Sequence, residues 1–99
     1  MTGEQLQPLH PGEILREEFM LPNSLSANAL AGHLGVTAAR MNEIAREKRG
    51  ITADTALRLA RFFNTTPEFW VDLQKRFELE TARRTAGARI EHEVSPIEG

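Results

Sequence analysis

Gly35 separates two apolar-periodic segments, each opened by a hydroxyl residue, within the stretch Leu25–Gly50 (LSANALAGHLGVTAARMNEIAREKRG). This arrangement constrains the chain more than any other feature. Ser26 can accept a bond from a free backbone N–H and so cap the first segment. Leu25 before the cap and Leu30 after it can pack as a hydrophobic staple. Ala27, Leu30, Ala31 and Leu34 follow helical spacing, which gives one apolar face. Gly35 ends the helix because a residue without a Cβ enters the left-handed conformation cheaply. Thr37 caps the next segment, with Val36 and Met41 as a second staple. A turn this short prevents the two helices from lying antiparallel, so they cross at a large angle, as in a helix-turn-helix.

The second helix of the pair has two unlike faces. At about 100° per residue, Met41, Ile44 and Ala45 fall together, with Ala38 at their edge, while Ala39, Asn42, Glu43 and Arg46 fall opposite. The outward face starts small, then carries amides and charges, and Lys48 and Arg49 follow it. A helix that enters the DNA major groove needs little bulk at its head, hydrogen-bonding groups for base edges and cations for phosphates. The competing reading is a solvated amphipathic helix in an all-α domain. Both caps, both staples and the glycine together favour DNA. Candidate base or near-base contacts are Thr37, Ala38, Ala39, Arg40, Asn42 and Arg46. Candidate phosphate contacts are Ser26, Asn28, Lys48, Arg49 and Thr52. A homodimer would set two such helices about 34 Å apart on a near-palindromic duplex.

The 99 residues suit one domain with tails. There is no cysteine, which excludes disulfides and thiol chemistry and fits a cytoplasmic location. No apolar run reaches transmembrane length and the N-terminus has no signal-peptide core. The net charge of −2 would argue mildly against nucleic acid if it were averaged over the chain. It is not evenly spread. Arg40, Arg46, Lys48 and Arg49 outnumber Glu43 and Glu47, whereas Glu4, Glu13, Glu17 and Glu18 near the N-terminus face only Arg16. A basic DNA face and an acidic face elsewhere follow from that asymmetry.

Residues 1–9 read as a flexible lead, residues 10–85 as the folded domain and residues 86–99 as a fraying tail. The first helix begins at His10-Pro11-Gly12-Glu13, since proline suits the first helical position. Ile14, Leu15 and Phe19 form its core stripe, and Pro22-Asn23 end it. Thr52 caps the fourth helix, with Ala53, Ala56, Leu57, Ala60 and Phe63 as its expected buried stripe and Asn64 as a left-handed stop. Thr66-Pro67 starts the fifth helix. Its heavy apolar load points inward and to a second copy, with Trp70, Val71, Phe77 and Leu79 as the expected dimer contacts.

Catalytic chemistry finds no support. His10, His33 and His92 match no metal spacing. Glu17 and Glu18 are adjacent on a helix and point about 100° apart, which makes a poor acid–base pair. There is no recognisable Ser–His–Asp set and no glycine-rich phosphate loop. No enzyme activity, metal or cofactor is expected.

The segments HPGEILREEF at His10–Phe19, LAGHLGVT at Leu30–Thr37, RGITADTALRLARFF at Arg49–Phe63 and TTPEFWVDLQ at Thr65–Gln74 cover nearly the whole folded part. In these the chain resembles the lambda-repressor-like (XRE) DNA-binding domains, and within them the HigA-type antitoxins. The resemblance implies an all-α, five-helix fold with the helix-turn-helix at helices two and three. It also implies a dimeric repressor of its own operon that neutralises a HigB/RelE-like mRNA-cleaving toxin. The alternative is a solitary XRE regulator without a toxin. Many XRE domains place Gln at the first residue of helix two to grip a phosphate. Here Ala27 leaves that role to Ser26 or Asn28. Ala38 and Ala39 can touch thymine methyls, which leaves hydrogen-bonded base reading to Arg40, Asn42, Glu43 or Arg46.

Overall fold

The computed structural model describes residues 7–98. It is all-α. Helix α1 (Pro11–Ile14) continues as a π-helical segment, Leu15–Met20, and is followed by α2 (Ala27–Leu34), α3 (Ala38–Ala45), α4 (Ala53–Phe63) and α5 (Pro67–Glu93). The helix-turn-helix lies at α2 and α3, as the caps and the glycine predict.

Each helix starts on a capped N–H group. Ser26, Thr37, Thr52 and Thr66 each accept from the backbone N–H three residues on. At α1 the acceptor is a ring nitrogen instead: the Gly12 N–H donates to His10 Nδ1 at 2.8 Å. Helix ends are equally regular. Gly35 and Asn64 adopt the left-handed conformation behind α2 and α4, where a helix reverses without leaving its last carbonyls unpaired. The end of α3 uses the same device with an unexpected residue. Glu47 has φ of 65°, its N–H donates to Ile44 O, and the Lys48 N–H donates to Glu43 O.

Leu15, Leu30, Met41, Ile44, Ala56, Leu59 and Trp70 are fully buried and form the centre of the core. The rings at the two ends of α1 and its π-helical continuation show how they lie. His10 meets Phe77 at 4.7 Å and Phe19 meets Trp70 at 4.9 Å, so α1 runs antiparallel to the first part of α5. The π-helical turn carries Met20 into the core beside Leu15. Ile14 and Phe19 are only half-buried. The expected terminators hold: the Asn23 side chain donates to Phe19 O at 2.7 Å, inside a turn that contains Pro22.

Two expectations are corrected. On α4 the buried stripe is Thr55, Ala56, Leu59 and Ala60, while Ala53 is exposed and Leu57 is 60% exposed. Thr55 is absent from the expected stripe, yet it is buried and its hydroxyl is hydrogen-bonded, so the core face takes in Thr55 and Leu59 in place of Ala53 and Leu57. The tail also differs. Helix α5 runs past Ala86 to Glu93, about 40 Å in all. Gly87 does not stop it, because a mid-helix glycine costs only about 1 kcal/mol. Alanines, together with the Glu80–Arg83 and Arg89–Glu93 pairs, support the helix locally.

Candidate nucleic-acid interface

Helix α3 is fixed from behind by α1. Gly12 packs against the Ile44 carbonyl with no room for a Cβ. Arg16 Nη1 donates to Ala45 O at 2.6 Å and Arg16 Nη2 to Glu47 at 3.3 Å, which satisfies the carbonyl end of α3. From the far side, Gln74 of α5 accepts the Ile51 N–H at 2.8 Å and pins the loop between α3 and α4. With its back thus held, α3 turns Ala38, Ala39 and Arg46 to solvent.

Beside Ala38 and Ala39, the polar and charged candidate DNA residues divide into three groups. Thr37, Ser26 and Thr52 are exposed hydroxyls engaged as N-caps, and each sits beside free amide groups that suit a phosphate. Asn28 and Asn42 are joined: Asn42 Nδ2 donates to Asn28 Oδ1 at 2.9 Å and to Ala38 O at 2.9 Å, so α2 and α3 present one amide pair. The cations are less uniform. Arg46 and Lys48 are exposed. Arg49 is paired with Glu43 at 2.7 Å. Arg40, expected at the bases, instead lies half-buried along α4, with Nη1 on Asp54 Oδ2 at 3.1 Å and on Thr55 Oγ1 at 3.3 Å.

Asp54 and Arg58 are the residues that sequence reading missed here. Asp54 Oδ2 also accepts from Arg58 Nε at 2.9 Å, and Arg58 Nη1 reaches Leu34 O at 2.9 Å. Arg58 first and Arg40 second hold the Asp54 carboxyl below its ordinary pKa. The Asp54–Arg58 spacing of four on a helix was a readable signal. The link from Arg40 across to another helix was not.

The four expected dimer residues do not share one surface. Trp70 is fully buried, with Nε1 donating to Thr65 Oγ1 at 2.8 Å, and contributes to its own core, which corrects its assignment to a partner contact. Val71 and Phe77 are half-buried, and Phe77 is occupied by His10. Leu79 is 53% exposed. His33 stacks on Phe62 at 4.8 Å. Among the described residues no group of three His, Cys, Asp or Glu is placed to hold a metal ion, and no helix is long and apolar enough to cross a membrane.

A capped helix pair crossing over a short turn, with a slim-headed second helix and cations at its far end, defines a helix-turn-helix DNA-binding protein. No family model matches the chain. Known proteins narrow the class. The chain is 51% identical over 80 residues to Virulence-associated protein I of Dichelobacter nodosus, covering 81% of this chain and 74% of that one. It is 34% identical over 85 residues to Antitoxin HigA-1 of Vibrio cholerae, covering 84% of this chain and 78% of that one. Its fold matches the Pseudomonas aeruginosa antitoxin HigA solved with the higBA promoter, at a TM-score of 0.91 and 49% identity over 93% of this chain and 100% of that one. The chain belongs to the HigA antitoxin family. Two of these relatives are HigA antitoxins, one of them solved with promoter DNA, and the chain is not an enzyme.

Proposed function

We propose that this chain binds a near-palindromic operator as a homodimer, represses its own toxin–antitoxin operon and neutralises a HigB/RelE-like mRNA-cleaving toxin in the cytoplasm. The observation that carries the DNA reading is the exposed head of α3. Thr37, Ala38 and Ala39 leave a narrow leading edge, the Asn28–Asn42 pair lies beside it, and Arg46 and Lys48 follow. Ala38 and Ala39 suit thymine methyls, Asn42 and Arg46 suit base edges, and Ser26, Thr52, Lys48 and Arg49 suit phosphates. The relative solved with promoter DNA supports the same role. For the dimer, Leu79, Ala86 and Ile90 fall within roughly 40° of one another around α5 at about 100° per residue, a stripe suited to a second copy.

Titration of a duplex from the chain's own promoter against a scrambled duplex, over a salt series, tests the reading. A specific complex survives moderate salt, and Arg46→Ala weakens it by about 1–3 kcal/mol. Equal binding to both duplexes would sink it. The antitoxin role is tested separately, by co-expression with the product of a neighbouring toxin gene and growth rescue.

A further inference from the structure

We propose that Asp54 sets the selectivity of DNA binding by holding the Arg40 guanidinium against α4 in the free protein, so that only a duplex that fits the interface draws Arg40 away. This rests on the operator-binding reading above.

Asp54 is a carboxylate on the same side as the groove-facing helix, more than half exposed, where a polyanion is to be bound. An exposed ion pair contributes little to stability. In the complex the same carboxylate opposes phosphate. Its position is nevertheless well defined. Arg58 grips it at 2.9 Å and is itself anchored on the last carbonyl of α2, so Asp54 is held where Arg40 meets it. Thr55 adds a second acceptor for the same Arg40 nitrogen at 3.3 Å.

The consequence differs between duplexes. Arg46 and Lys48 are exposed and have no ion-pair partner among the described residues, so they attract any backbone. Arg40 reaches DNA only by giving up Asp54 and Thr55. A random duplex offers it a loosely placed phosphate, a poor exchange. A matching duplex brings a base edge or a fixed phosphate into a geometry that a guanidinium fork can grip. Specificity is a difference between affinities, and a group that weakens the wrong complex more than the right one raises it.

The test compares wild type, Asp54→Asn, Asp54→Glu, Arg40→Ala and the double variant on own-promoter and scrambled duplexes, by fluorescence anisotropy across a salt series. Asp54→Asn should tighten scrambled-duplex binding several-fold, steepen its logarithmic salt slope by about 0.9, as expected for one added phosphate contact, and tighten the promoter complex less. The promoter-to-scrambled ratio then falls. Asp54→Glu keeps the wild-type ratio. In the Arg40→Ala background the gain from Asp54→Asn disappears. Equal gains on both duplexes, a gain that persists without Arg40, or no gain would overturn the proposal, as would unfolding of Asp54→Asn, which would make the pair a brace of the fold. If wild type itself shows no promoter preference, the operator reading fails first. If the preference is intact and Asp54→Asn does not change it, only the role of Asp54 fails.

Discussion

Gly12 and Ile44 meet backbone to backbone: the Gly12 Cα lies where any Cβ would overlap the Ile44 carbonyl oxygen. The contact brings α1 close to the last turn of α3, so α3 takes its position from a residue behind it. Gly12→Ala should therefore destabilise the fold by about 1–3 kcal/mol, the usual range for overpacking a filled site. Thermal melting reads the loss, and DNA affinity should weaken beyond what the unfolded fraction explains, because α3 is displaced. A melting point equal to wild type would show that the two helices separate easily.

Gln74 ties the loop after α3 to α5 through the Ile51 N–H, while its own amide nitrogen donates to Glu78 at 2.9 Å. Removing the acceptor leaves a half-buried donor unpaired. Gln74→Ala should cost about 1–3 kcal/mol in denaturant unfolding. Gln74→Glu, which retains an acceptor oxygen, should lose less.

At Glu47 two effects compete. A side chain in the left-handed conformation costs roughly 1–2 kcal/mol, whereas an exposed ion pair such as Arg16–Glu47 contributes about 0–1 kcal/mol. Glu47→Gly should thus leave the unfolding midpoint unchanged or raise it slightly. A clear drop would mean that Arg16 needs this carboxylate to stay on the Ala45 carbonyl.

His10 gives the fold a dependence on pH. Burial pushes its pKa below the usual 6.5, and nearby Glu47 only partly opposes this. The unfolded chain then takes up the proton first. Stability is full above about pH 6.5, falls as the pH drops from there toward the folded-state pKa, and levels off below it, as far as this group is concerned. Protonation would also remove the acceptor for the Gly12 N–H. Denaturation midpoints measured between about pH 7.5 and pH 5 should fall with pH, and His10→Asn, which keeps a capping acceptor, should flatten the dependence. A wild-type curve as flat as the variant's would contradict this.

Local chemistry was the readable part of the sequence. A hydroxyl before an apolar run announced each of four helices, and Gly35 and Asn64 announced two stops, because those signals act within a few residues. Contacts that join distant segments were not readable. The Arg40–Asp54 pair was not readable because its members lie fourteen residues apart on different helices. Trp70 looked like a partner contact because nothing local shows that Phe19 and Thr65 enclose it. Leu57 and Leu59 were interchanged because the phase of α4 depends on a buried Thr55 hydroxyl. Glu47 was missed as a stop because a glutamate has no local preference for the left-handed conformation that it adopts.

The wide turn at Leu15–Met20 has a consequence for chain length. There the Leu21 N–H donates to Arg16 O, five residues back, where an ordinary helix would close its ring after four. The segment therefore holds one surplus residue while keeping Leu15 and Met20 directed inward. Excising a single exposed position, Glu17 or Glu18, should let the ladder revert to normal winding with both inward anchors four apart on one face, whereas adding one would set them about 120° apart at about 100° per residue and swing one of them out to water. This point should therefore tolerate the loss of a residue better than the gain of one.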